Sequence, residues 1–259
     1  MDEGLRVEQH GPVLVATIDR QERMNALNQE IYDAFAETWA RAASDPSLRS
    51  IVVTGAGDQA FCTGMDLKDF ALRGGPRPVK ADVHEELRVT PLHCDVWLPT
   101  VTAVNGVCTG AGLHFISDAD IVIASSNASF LDTHVSVGQV AAVEPISLLP
   151  RIGLGNTLRL TTLGRHGRVR ADEALRIGMV DEVVEPDALL ERAIELAEQA
   201  ASGSPAAVEG SKRAIRGSLE LPMREALQAG WEILLAHRNH ADSIEGPIAF
   251  TEKRKPKWQ

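Results

Sequence analysis

Cysteine is scarce and scattered. The 259-residue chain has three, Cys62, Cys94 and Cys108, without a C-x-x-C pair, so neither a disulfide framework nor a metal site is expected and the thiols read as buried packing groups. Long apolar runs are missing as well. No stretch approaches the roughly 18 to 20 apolar residues needed to cross a bilayer, and the opening "MDEGLRVEQHG" has neither the basic start nor the apolar segment of a signal peptide. A soluble, cytoplasmic protein with no membrane partner is therefore expected. A basic excess is absent too: the formal net charge is −10, which argues against general binding to nucleic acid. The local exception is the C-terminal "EKRKPKWQ", which carries four cations in its last seven residues.

What is present is an ordinary globular composition, 44% hydrophobic and 24% charged, enough for one domain with a sizeable core or one domain plus an extension. The chain opens as strand, turn, helix: "PVLVATID" is β-branched and alternating, and "ALNQEIYDAFAETWARAASD" has apolar positions at helical spacing. "LRSIVVTGAG", "LPTVTAVNG" and "DIVIASSNASFLD" read as buried strands, separated by glycine-rich turns that run into short helices. That alternation predicts an α/β fold with crossover connections. A polar stretch from Pro76 to Thr90 reads as a mobile loop. Beyond Gly153 the segments are helix-like, with only "MVDEVVE" strand-like between them.

Two turns echo each other. "IVVTGAGDQAFCTGMDL" and "VTAVNGVCTGAGLHF" both run from an apolar strand through small residues into a short helix. Their spacing fits neither G-x-G-x-x-G nor G-x-x-x-x-G-K-[ST], so a phosphate cradle is disfavoured. Glycine at Gly64, Gly110 and Gly112 permits close backbone approach, and a helix starting there leaves its first N–H groups unpaired. The N–H groups of Met65 and Ala111 can then converge on one oxygen. Such an oxyanion hole stabilises developing carbonyl charge by about 3 to 4 kcal/mol per donor; tight structural turns are the alternative.

The blocks "GAGDQAFCTGMDLKDF" and "LPTVTAVNGVCTGAGLHFISDADIVIASSNASF" resemble the two signature regions of the crotonase superfamily, the enoyl-CoA hydratases and isomerases. "RMNALNQE", "LLPRIGLGNTLRLTTLGRHGRVRADEALRIGMVDEVV" and "DSIEGPIAFTEKRKPKW" resemble further blocks of that family, so the likeness covers essentially the whole chain. The resemblance implies an α/β spiral of ββα units over residues 1–195. It also implies a helical region over 196–259 that oligomerises into trimers or paired trimers and contacts coenzyme A. By the same resemblance Met65 and Ala111 hold a thioester oxygen, and Met24, Ala26, Ala60, Asp66 and Leu67 shape the groove for the CoA adenine and pantetheine. Phe250 and Lys253 reach the nucleotide, in many members from a neighbouring subunit. The basic tail thereby gains a partner, since Lys and Arg suit the phosphates of CoA. The substrate implied is an acyl-CoA thioester, with CoA part of the substrate and no separate cofactor.

Hydratases of the family use two glutamates, and both matching positions here are histidine, His114 and His134. Imidazole titrates near working pH and can replace a carboxylate as general acid or base. Glu144 stands in "GQVAAVEPISLLPR", two residues past Ala142, where isomerase-like members carry aspartate. It either acts as a base over the thioester or orients His134; a surface loop carboxylate is the plain alternative. Asp118 and Asp120 read as structural groups at a helix-to-strand junction, and His84 and His93 flank the polar loop. The loop from Arg73 to Pro91 is expected to shape the acyl pocket. The leading expectation is enoyl-CoA hydratase chemistry. The alternatives are hydrolysis or C–C cleavage of a β-dicarbonyl acyl-CoA, isomerisation, or acyl-CoA binding without catalysis.

Overall fold

The computed structural model describes residues 4–72, 74 and 78–259. Arg73 and residues 75–77, which open the expected pocket loop, lie outside the described residues. The amino-terminal hairpin pairs β1 (Leu5–His10) with β2 (Val13–Ile18) in antiparallel register. Helix α1 (Gln29–Ser44) follows, and its start is fixed by the Asn28 side chain, which accepts from the Ile31 N–H at 3.1 Å. Its buried residues Ile31, Ala34, Phe35, Thr38, Trp39 and Ala42 fall at helical spacing on one face.

The chain then steps repeatedly between two sheets. β3 (Ser50–Gly55), β5 (Thr100–Val104) and β7 (Ile121–Ser125) enter the larger sheet. Their successors β4 (Ala60–Cys62), β6 (Val107–Thr109) and β8 (Ser129–Leu131) enter the smaller one. Short helices close the first units: α2 (Leu67–Leu72) and α3 (Val83–Glu86) after β4, and a 3-10 turn (Gly110–Leu113) running into α4 (His114–Asp118) after β6. With β9 (Val169–Arg170) and β10 (Glu182–Val184) the sheets have the orders β1-β2-β3-β5-β7-β10 and β4-β6-β8-β9. From β2 to β10 the larger sheet is parallel, and so is β4-β6-β8. This is the expected spiral of ββα units.

Strands β2, β3 and β5 are buried along their whole length. The reason is that both faces of the larger sheet are covered, so apolar runs replace alternation. One face sends Val13, Val15, Val52, Val101 and Ala103 against Leu189, Ala193 and Ala197 of α7 (Leu189–Ala201). The other face sends Leu14, Ile18, Ile51 and Val53 into the main core with Phe35, Trp39, Phe61 and Phe115. Each such aromatic contributes on the order of 1.5–3 kcal/mol by burial. The division at residues 195 and 196 lies within α7.

Helix α5 (Val143–Leu163) starts ten residues before the helical character expected from Gly153, and it kinks at Gly153, where φ is 73°. Glu144 and Pro145 are therefore not in a loop. Proline is compatible with a first helical turn, where its missing N–H has no partner to lose. After α6 (Ala171–Arg176) and α7, helices α8 (Pro205–Gly217), α9 (Met223–His237) and α10 (Ala241–Thr251) complete the chain. α8 is tied to the core by Lys212, whose Nζ lies 2.7 Å from Asp120 Oδ2 and donates to the Leu98 carbonyl at 2.7 Å. Leu227, Trp231 and Leu234 leave a broad apolar face of α9 exposed. Among the described residues no helix is long and apolar enough to cross a membrane.

Candidate active site

Strands β4 and β6 are parallel neighbours, so the turns that leave them lie side by side. Gly64 and Gly110 hold left-handed φ values of 82° and 56°. A Cβ on Gly64 would sit 3.2 Å from the Ala111 nitrogen, and one on Gly110 would sit 3.3 Å from the Gly64 Cα. The two backbones touch because neither carries a side chain there. Leu27 donates its N–H to the Gly64 carbonyl at 2.7 Å and accepts from the Asp66 N–H at 2.9 Å. The Met65 peptide, between those two bonds, faces away from Leu27. Ala111 lies in the first turn of the 110–113 3-10 helix, where an N–H has no intrahelical acceptor. Behind this turn Gly112 packs 2.8 Å, measured from where its Cβ would be, from the Cys62 carbonyl.

Cys62 and Cys108 are packing groups. Both are fully buried, and burial pushes the Cys62 thiol up to about 12 and the Cys108 thiol upward as well.

The same bonds draw in the first of the expected CoA-groove residues. The Thr63 hydroxyl donates to the Met24 carbonyl at 2.9 Å. Met24 and Leu67 are exposed beside this seam, while Ala26 and Ala60 are buried beneath it. Asp66 is engaged within the protein: it accepts from the Lys68 and Asp69 N–H groups and pairs with Arg20 at 3.2 Å. Burial alone would raise its carboxyl, but those donors hold it below the usual carboxylate range. Phe250 and Lys253 stand apart at the end of α10, exposed, with no hydrogen bond or ion pair to these turns among the described residues.

The three acid–base candidates are brought together. His114 heads α4, His134 opens a 3-10 turn (His134–Val137) after β8, and Glu144 lies in the first turn of α5. Glu144 Oε1 is 3.5 Å from His114 Nε2 and 3.7 Å from His134 Nε2. One carboxylate thus sits between two imidazoles. The orienting partner of His134 is not Glu144 but Asp132, whose Oδ1 lies 2.7 Å from His134 Nδ1 and also accepts the His134 N–H at 3.0 Å. That hydrogen bond holds the His134 imidazole above its ordinary pKa against the opposing effect of burial. His114 is almost completely buried, and burial pulls it below its ordinary value despite Glu144 nearby.

Asp132 was missed by the sequence reading; its signal is the D-x-H spacing at the end of an apolar strand. Asp118 makes its structural contacts to a distant turn: its Oδ2 lies 3.2 Å from His93 Nε2 and accepts from the Thr90 hydroxyl at 2.6 Å. Asp120 keeps the structural role, accepting from the Thr100 N–H at 2.8 Å. Ala142 precedes α5 and offers no functional group. Among the described residues no group of three or more His, Cys, Asp or Glu side chains is arranged to hold a metal ion.

The sequence profile of the enoyl-CoA hydratase/isomerase family matches residues 8–259. The chain belongs to this family. It is 35% identical over 262 residues, covering 98% of both chains, to (E)-benzylidenesuccinyl-CoA hydratase of Thauera aromatica. It is 34% identical over 268 residues to carnitinyl-CoA dehydratase of Citrobacter koseri, covering 100% of this chain and 99% of the relative. The crystal structure of an enoyl-CoA hydratase/isomerase from Mycobacterium paratuberculosis superposes with a TM-score of 0.88 at 35% identity, covering 99% of this chain and 98% of that one. The crystal structure of enoyl-CoA hydratase from Mycobacterium tuberculosis gives 0.88 at 30% identity, with coverage of 99% and 98%. The fold is the crotonase fold, and the chain is an enzyme of the enoyl-CoA hydratase/isomerase type.

Proposed function

We propose that this enzyme adds water across, or removes water to form, the α,β double bond of an acyl-CoA thioester. The observation that carries the reading is Glu144 held between His114 and His134, with His114 three residues past Ala111, a backbone donor suited to a thioester oxygen. In the hydration direction the Met65 and Ala111 N–H groups hold the thioester oxygen. Glu144 takes a proton from water as its oxygen bonds to Cβ, and the double-bond electrons move to give the enolate. His134, kept protonated more readily by Asp132, gives its proton to Cα. The Glu144 carboxyl then returns a proton to His134, so one water is consumed and both groups are restored. His114, neutral in its buried site, donates Nε2–H toward Glu144 and holds the carboxylate in place.

The CoA moiety lies along Met24, Ala26, Ala60, Asp66 and Leu67 in this reading, with Phe250 and Lys253 supplied by a neighbouring subunit of a trimer or paired trimer. The exposed apolar face of α9 supports the oligomer, and the names of the two curated relatives support water addition or removal. CoA enters as part of the substrate.

A second reading rests on the Asp132–His134 pair, which has the geometry of a base that activates water for attack on a carbonyl. It predicts hydrolysis or C–C cleavage of a β-dicarbonyl acyl-CoA. The deciding assay follows the enoyl absorbance of crotonyl-CoA beside the loss of a β-dicarbonyl acyl-CoA, with affinity for each measured separately. Turnover of the enoyl substrate supports hydration. Turnover of the dicarbonyl alone replaces it with the second reading, and binding without turnover of any acyl-CoA favours a non-catalytic acyl-CoA-binding role.

A further inference from the structure

Beside the acid–base cluster lies a second polar network that the proposed mechanism leaves unused. His93, on the 3-10 turn Leu92–Cys94, packs its ring against that of His114, centroids 5.0 Å apart and planes at 76°. Both His93 nitrogens are engaged: Nε2 lies 3.2 Å from Asp118 Oδ2, and Nδ1 accepts from the Thr90 N–H at 3.4 Å. Thr90 closes the ring of contacts, since its hydroxyl donates to Asp118 Oδ2 at 2.6 Å and accepts from the His93 N–H at 3.2 Å. Asp118 Oδ1 accepts from the Ser117 hydroxyl at 3.1 Å. Asp118 stands four residues after His114 on α4, one turn along the same helix face.

The network's anchorage is deep. Val89, Thr90 and Val96 are buried, and the indole N–H of Trp39 donates to the Val89 carbonyl at 2.8 Å. His114 itself needs external restraint. Its Nε2 faces Glu144, but its Nδ1 is buried with no hydrogen-bond partner in the protein. A buried imidazole normally fixes its tautomer through the bond its second nitrogen makes, and here that bond is missing.

We infer that His93, held by Asp118 and Thr90, is a positioning residue that fixes the ring orientation and the Nε2–H tautomer of His114. The ring contact substitutes for the absent bond at Nδ1: a neighbour pinned at both nitrogens restricts the swing of His114 that would turn Nδ1 toward Glu144. Burial, which takes the His93 imidazole down to about 4, keeps this neighbour neutral so that it adds no charge beside His114. Because the His93 turn follows the segment expected to border the acyl pocket, the same lock joins that segment's end to the acid–base cluster.

The inference rests on the hydratase reading only for its catalytic consequence, so the test has two arms. Long-range ¹H–¹⁵N spectra of ¹⁵N-histidine-labelled enzyme, without substrate, report which His114 nitrogen carries the proton. In the wild type the Nε2–H tautomer is expected alone; in H93F, which keeps a ring but no nitrogen, and in D118N, which keeps shape but loses the charge, a mixture of tautomers is expected. Unchanged His114 signals in both variants would overturn the inference. With crotonyl-CoA, both variants should lose at least about ten-fold in kcat with KM within about two-fold. Thermal unfolding of both variants screens for misfolding, and D118N serves if H93F does not fold. Should the wild-type enzyme leave crotonyl-CoA unchanged while H93F still scrambles the His114 tautomer, the hydratase reading fails and the positioning role stands.

Discussion

Asp132 and His134, two residues apart at the end of β8, form a carboxylate–imidazole pair with 2.7 Å between Oδ1 and Nδ1, and the carboxylate is wholly buried. The pair leaves His134 Nε2 free to face Glu144. In D132N the imidazole loses the group that lifts its pKa, so the basic limb of the kcat–pH profile should move to lower pH. Steady-state assays between pH 5.5 and 9 check this, and an unmoved profile would detach Asp132 from the chemistry.

The same pair makes stability depend on pH. His134 is raised above its ordinary value of 6.5, so the stabilisation it draws from Asp132 is complete below about pH 6.5 and fades as pH rises through the raised value. Urea unfolding should therefore show D132N destabilised by about 1.5–3 kcal/mol at pH 6, with a smaller difference at pH 9. An equal or larger difference at pH 9 contradicts the assigned sign.

Glu144 is the next target. E144Q keeps its shape and removes its basicity, and H134A removes the proton donor; each should lower kcat by about 10²-fold or more. If stopped assays on crotonyl-CoA show near-normal rates in both, the carboxylate between two imidazoles has no acid–base role.

Gly64→Ala probes the thioester clamp. The added methyl would lie 3.2 Å from the Ala111 nitrogen at a φ of 82°, so it costs about 1–2 kcal/mol in backbone strain and obstructs the proposed oxygen site. A fall in kcat of about 10²–10³ is expected, with CoA affinity measured by calorimetry nearly unchanged. Wild-type turnover in a folded G64A protein would leave the two turns a purely structural role.

Lys253 tests the reach of the C-terminal segment. K253E should weaken CoA binding and flatten its dependence on salt, leaving kcat unaltered, and sedimentation should give a particle of three or six chains. A monomer that binds CoA with full affinity would remove the neighbouring subunit from the site.

The strands and turns that frame the site were legible in the sequence because their signals are local. "IVVTG" and "TVTAVNG" are apolar runs, and Gly64 and Gly110 mark turns whose left-handed φ glycine adopts without strain. Helix α5 was partly hidden: helical character was expected only from Gly153, although the helix starts at Val143 and carries Pro145 in its first turn, where a helix tolerates it. The acid–base candidates were found one by one, but their mutual distances were not, since His114, His134 and Glu144 come from three elements whose meeting depends on the whole spiral. Asp118 shows the limit most clearly. Nothing near it in sequence announces His93, twenty-five residues earlier, which only the packed turn brings to its carboxylate.

The side-by-side pairing of β4 and β6 has one further consequence. The spacing of the Met65 and Ala111 peptides is set by the distance between neighbouring strands, about 4.8 Å, and by glycines that let them touch. The imidazoles and the carboxylate, by contrast, are single side chains hung on separate elements around that gauge. A fold arranged this way can exchange its reaction one side chain at a time while the proposed grip on the thioester stays the same width. Histidine at positions 114 and 134, where the family resemblance implies glutamates, with Glu144 between them, is the kind of arrangement such a division of labour permits.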